Sequence, residues 1–209
     1  MVLRAEDGLR VRGSLKIEPG ATITGLSRTS IDKDSLVAFA IPWENWRVWN
    51  SGAALPNVSA LDDLGFYTGT YGTDTQSLKT YDVKTVGATT LYARTSIVLP
   101  AEYIDTDSVS IRLGCGMLGA VADTSCTVDI EAWLSDGEAI KTGSDLYTGA
   151  SQSCNSLTFA NLSYALDGSV LSTASVIDVR LTVAVNDGAG GASVQACIGS
   201  AVLLCDIRG

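Results

Sequence analysis

Three tryptophans recur at every third position after Pro42: Trp43, Trp46 and Trp49. An indole offers a large flat apolar surface with one N–H donor, so this spacing can serve one of two ends. It can build a platform for sugar rings, or it can form a short helical turn whose rings plug a sheet edge or an interface. Aromatic stripes are more often buried than ligand-facing, which favours the structural reading. Carboxylates supply the other candidate chemistry, paired at Asp62-Asp63, Asp105-Asp107 and Asp129-Glu131. In an extended chain Asp129 and Glu131 share one strand face, and two such acids are what glycoside hydrolysis requires. A solvated strand face displays the same pattern, and catalysis further needs a partner and a cleft. Asp105-Thr106-Asp107 matches the opening of a calcium loop without the rest of that pattern, and it reads as an Asp-rich turn.

The chain contains no histidine. Ser-His-Asp and Cys-His nucleophilic systems, histidine-ligated zinc and imidazole acid–base steps are therefore excluded. Gly114-Cys115-Gly116 lies inside a strand pattern with no helix after it, so it is not a phosphate-cradling loop. The five cysteines, Cys115, Cys126, Cys154, Cys197 and Cys205, form no CxxC pair. They read as reduced thiols that pack as small core hydrophobes. Two Asn-x-Ser sequons, at Asn57 and Asn161, read as chance matches. No catalytic residue, cofactor or metal is expected.

The elements that would position these residues are strands. Leu36–Ile41 is a short apolar strand ended by Pro42. Short strands are also expected at Phe66–Tyr71 and Leu78–Val83. In residues 91–99, apolar side chains alternate with Tyr92, Arg94 and Ser96. Residues 109–117 and 126–134 repeat the pattern, the second with Asp129, Glu131 and Trp133 opposite its apolar face. Residues 177–185 alternate most cleanly, against Asp178, Arg180 and Thr182. A weaker strand is expected at Leu157–Tyr164. Val194–Ile207 is apolar on both faces, so it belongs at the centre of a sheet or at an interface. Asp-Gly, Asn-Asp-Gly and Gly-Gly turns separate these runs. The expectation is an all-β protein: a jelly-roll-like antiparallel β-sandwich over residues 36–209.

Residues 1–35 read as an extended β-rich N-terminal arm. Leu9, Val11, Leu15 and Ile17 alternate with Arg10, Arg12, Ser14 and Lys16, and Gly-Ser and Pro-Gly interrupt the run. Ordering such a segment costs about 1–2 kcal/mol per residue. Only a few large side chains, Ile23 and Leu26 among them, return about 1.5–3 kcal/mol each on burial. The arm therefore needs a surface to lie against, and strand addition to another subunit would supply one.

Composition agrees with assembly. Charged residues make up 18% and hydrophobic residues 46%, a balance that favours surface buried in an oligomer. Residues 1–35 carry six basic and five acidic side chains, while residues 36–209 carry eight and eighteen. An acidic body repels phosphates, so no nucleic-acid partner is expected. No apolar run is long enough for a membrane-spanning helix, and no membrane partner is expected. Glu6, Asp7 and Arg10 interrupt the start too early for a secretory signal.

The arm Leu9–Ile17 is similar to the interlaced arms of trimeric phage proteins, and Gly87–Arg94 and Val183–Asp187 also have a phage-protein look. On these segments the chain resembles small capsid decoration, or cement, proteins of tailed bacteriophages. The resemblance implies a non-enzymatic virion structural protein, assembled in the host cytoplasm and placed on the capsid surface. It implies a homotrimer that bridges major capsid subunits, with Arg4, Leu9, Arg10, Val11, Arg12, Leu15, Lys16, Ile17 and Ile23 as the binding arm. The alternative is a receptor- or carbohydrate-binding virion module, such as a head-fibre or tail-tip protein, using Trp43, Trp46 and Trp49.

Overall fold

The computed structural model describes residues 36–135, 137, 141 and 143–207. The arm residues named above lie outside the described residues. Two antiparallel sheets face each other. One contains β1 (Leu36–Ala40), β2 (Gly65–Tyr67), β3 (Ser77–Lys79), β5 (Val109–Gly119), β8 (Ala160–Leu166) and β10 (Val194–Asp206). The other contains β4 (Gly87–Val98), β6 (Ser125–Ser135), β7 (Gln152–Ser153) and β9 (Val176–Asp187). Their orders are β2-β3-β10-β5-β8, with β1 on the far half of β10, and β4-β9-β6-β7. From β3 onward the chain passes between the sheets at every step except β6 to β7, which is the jelly-roll winding.

The alternating patterns become the two inner faces. Leu91, Ala93 and Ile97 of β4, Val179, Leu181 and Val183 of β9, and Val128 and Ile130 of β6 are buried against Ile111, Leu113 and Met117 of β5 and Leu203 of β10. Burial of each large side chain contributes about 1.5–3 kcal/mol, so the period-2 pattern fixes the register. β10 occupies the centre of its sheet, between β5 and the pair β1 and β3. A bulge between Ile198 and Ser200 flips its parity. Ala196 and Ile198 face the core before the bulge, and Ala201, Leu203 and Cys205 after it.

Several expected boundaries move. The strands expected at Phe66–Tyr71 and Leu78–Val83 shrink to three residues each, and the one at Leu157–Tyr164 shifts to Ala160–Leu166. Phe159 lies outside the ladder, with its ring against two glycines: a Cβ on Gly116 would sit 2.7 Å from it, and one on Gly199 3.4 Å. β7, two residues long, has no signature in the sequence. All five cysteines are buried and free, and Sγ of Cys126 lies 3.1 Å from that of Cys154. The shared S–H contact raises the pKa of Cys126 and lowers that of Cys154.

Candidate functional site

The three tryptophans do not share a face. Trp43 opens a 3-10 turn, Trp43–Asn45, and lines a depression with Tyr71 and Gly199. Trp46 is only 1% exposed and belongs to the core, where its Nε1 has no hydrogen-bond partner. Trp49 lies half-buried at the edge of the four-stranded sheet. A single three-indole platform is therefore not formed. A 3-10 turn brings position i+3 back over position i, but the extended backbone at Trp46 ends the turn and sends Trp49 away.

The chain after Trp46 extends the sheet beyond β4. Arg47 and Arg94 exchange both backbone bonds, at 2.8 and 2.9 Å. Tyr92 N donates to Asp62 O at 2.7 Å, and Leu64 N donates to Tyr92 O at 2.9 Å. The edge of β4 is thus covered, and Trp49 is set beside Tyr92 with ring centroids 5.0 Å apart. Asp62 fixes the indole by accepting from Nε1 at 3.0 Å. Burial raises the pKa of the neighbouring Asp63, and the charge of Asp62 adds to the rise.

Three strands then place outward-facing residues in rungs. Tyr92, Thr182 and Asp129 form one rung; Arg94, Arg180 and Glu131 the next; Ser96, Asp178 and Trp133 the third. The guanidinium of Arg180 stands 5.8 Å from the centre of the Trp49 ring and 5.4 Å from that of Tyr92. It is ion-paired with Glu131, whose other oxygen accepts from Trp133 Nε1 at 2.8 Å. Arg94 Nη2 and Lys141 Nζ reach Asp178 Oδ2 at 3.2 and 2.9 Å, and Ser96 Oγ donates to Oδ1 at 3.3 Å. Trp49, Arg94, Glu131, Lys141, Asp178 and Arg180 line an open cleft of about 200 Å³.

Asp129 stands one rung away and accepts from Ile130 N at 2.9 Å. Burial raises its pKa against that bond, and the charges of Asp145 and Glu131 push the same way. Glu131 and Asp129 do lie on one strand face, yet Glu131 has both oxygens committed to Arg180 and Trp133. At the Asp105–Asp107 turn, Thr106 has φ of 67° and Asp105 accepts from Thr173 N at 2.6 Å and its Oγ1 at 3.0 Å. Among the described residues no group of three His, Cys, Asp or Glu side chains could hold a metal.

Tyr92, Arg94, Trp133, Lys141, Asp178 and Arg180 were not singled out by motif or spacing. For all but Lys141, which lies outside the strands, the signal was present in the alternation of three strands, whose polar faces carry two arginines, a tyrosine, a tryptophan and an aspartate. The missing fact was that β4, β9 and β6 are neighbours.

The sequence matches no family model and no curated protein. Among solved structures the chain is similar to the CBM22-1 xylan-binding domain of Xyn10C from Paenibacillus barcinonensis, at 11% identity over 83% of this chain and 95% of that one, with a TM-score of 0.44. It is similar to a xylan-binding module, CBM15, at 16% identity over 83% and 99%, with a TM-score of 0.46. It also shows a likeness to a chain of infectious bursal disease virus, Gt strain, at 9% identity over 94% and 37%, with a TM-score of 0.39. Likenesses this distant carry no argument about ligand or partner; the sandwich is read from its own strand order.

Proposed function

We propose that the protein is a non-catalytic carbohydrate-binding module that uses the cleft on the outer face of the four-stranded sheet. The observation that carries this reading is the combination of rungs and rim. Trp49 and Tyr92 supply aromatic surface for the C–H faces of a sugar ring. Arg94, Arg180, Asp178 and Glu131 supply polar groups that converge on the same cleft. The carboxylates of the cleft are engaged by cations, an arrangement suited to orienting hydroxyls rather than to protonating a leaving group. Affinity electrophoresis of the full chain through gels carrying soluble polysaccharides tests the reading. Retardation by at least one polysaccharide, lost in Trp49→Ala, is the expected result. Unretarded migration through xylan, mannan, β-glucan and uronate gels alike refutes it.

A second reading keeps the protein in a virion, as a decoration protein bound to a major capsid protein and self-associated as a trimer. One observation favours it: Leu36 (56% exposed), Ala38 and Ala40 of β1 stand beside Val202 and Leu204 of β10 on the outer face of the six-stranded sheet. Leu36, at one end of this apolar strip, directly follows residues 1–35 in the sequence. Mass photometry of the full chain and of a chain lacking residues 1–35 tests it. A monomer in both refutes the trimer.

A further inference from the structure

We infer that the cleft is selective for anionic sugars, with a uronate carboxylate seated between Arg94 and Arg180; this rests on the carbohydrate reading above. The first ground is charge. Residues 36–209 hold eight basic side chains against eighteen acidic ones, yet three of the eight gather here beside two carboxylates. An acidic surface has thus concentrated its scarce cations in one place, where they attract an anion that the rest of the body repels.

The second ground is register. Arg94 and Arg180 are direct cross-strand partners, and like charges at directly opposed positions destabilise a sheet. Asp178 relieves Arg94 from one side and Glu131 relieves Arg180 from the other. Each acid answers one guanidinium only, so an anion that meets both would answer their opposition directly.

The third ground is hydrogen bonding. Guanidinium and ammonium groups only donate, and each guanidinium carries more N–H groups than its single carboxylate partner engages. The cleft is therefore rich in donors and poor in acceptors. A neutral hydroxyl brings one acceptor and a competing donor, whereas a carboxylate brings acceptors alone in the planar geometry that guanidiniums favour.

The experiment compares polygalacturonate and glucuronoxylan with their carboxyl-reduced forms, which keep the sugar skeleton and lose the charge. Titration calorimetry uses the full chain and the variants Arg94→Gln and Arg180→Gln, with near-ultraviolet circular dichroism confirming that each is folded. At least one uronate form is expected to bind tenfold or more tightly than its reduced counterpart. That preference should shrink as salt rises from about 20 to about 500 mM and should fall below threefold in Arg94→Gln. Equal affinity for charged and reduced forms overturns the inference and leaves the carbohydrate reading standing. A uronate preference untouched by either variant also overturns it, by placing the anion elsewhere. Binding to none of the four polymers, with the neutral glycans also negative, overturns both.

Discussion

Trp46 and Trp49 stand three residues apart, and their replacement by alanine should have different consequences, one mainly for stability and the other mainly for binding. Trp46 is 1% exposed, and truncating a core aromatic to alanine costs about 3–5 kcal/mol through lost burial and the cavity left behind. In a domain of this size each kcal/mol moves Tm by about 2–4 °C, so Trp46→Ala should lower Tm by about 6–20 °C. Trp46→Phe should do far less, because removing the buried, unpartnered Nε1 recovers about 1–3 kcal/mol of desolvation cost. Trp49 is half-buried and loses one hydrogen bond to Asp62, its contact with Tyr92 and its place beside the Arg180 guanidinium, the first two together about 1–3 kcal/mol. Its replacement should lower Tm by less than that of Trp46. Polysaccharide affinity should fall about tenfold or more, since 1.4 kcal/mol of lost stacking is a factor of ten. Differential scanning fluorimetry and titration calorimetry on both variants check the pair. A Trp46→Ala protein with unchanged Tm refutes the burial argument. A Trp49→Ala protein that binds as tightly as the parent refutes the cleft as the site.

Three further outcomes follow from particular contacts. Asp129 has a native pKa above its unfolded value near 3.8, owing chiefly to burial, so its charged form is the disfavoured one in the fold. Its contribution to stability therefore falls as pH rises from about 3.8 through the native pKa and is constant beyond it. Asp129→Asn should match the parent at pH 3 and exceed it in Tm at pH 7; a lower Tm at pH 7 would contradict the assignment. The five thiols are buried, and burial with neighbouring thiols lifts Cys115 to about 12. Ellman's reagent should therefore find none in the native protein and five after guanidinium unfolding, and a fast-reacting native thiol would refute this. A Cβ on Gly168 would lie 2.1 Å from the carbonyl oxygen of Asp107, which also accepts from Tyr103 Oη at 2.8 Å. Gly168→Ala should cost about 1–3 kcal/mol, read as a fall in the urea midpoint, and an unchanged midpoint would mean that the turn yields freely.

The alternation of residues 91–99, 109–117, 126–134 and 177–185 is dictated by a period of two against one buried face, so the long strands were legible from the chain alone. The short ones were legible in part: strands were expected over β1, β2 and β3, the last two at twice their length, and none over β7. β2, β3 and β7 hold two or three residues each, too few to set their bounds; β3 and β7 pair with the longer β10 and β6, and β2 pairs with β3. β10 was legible for an incomplete reason. Apolar residues on both faces point to a central strand or an interface, and β10 is central, but much of that impression comes from the bulge between Ile198 and Ser200. A parity flip mid-strand looks like two apolar faces when it is one face seen from either side of an inserted residue.

The site was hidden by the same arithmetic that revealed the fold. A jelly roll places strands distant in sequence side by side, and β4, β9 and β6 meet although residues 94 and 180 are far apart in the chain. Each strand alone shows a polar face with one or two charges, which is how any solvated strand looks. Only the pairing turns Arg94, Arg180 and Glu131 into a rung, and only the rung exposes the opposition of two arginines. Trp49 was legible by type but not by place, because periodicity joined it to Trp46, whose indole serves the core. The inner faces must satisfy one shared volume and so advertise themselves through composition. The outer face is free of that constraint, and its residues acquire meaning only through the register that the inner faces impose.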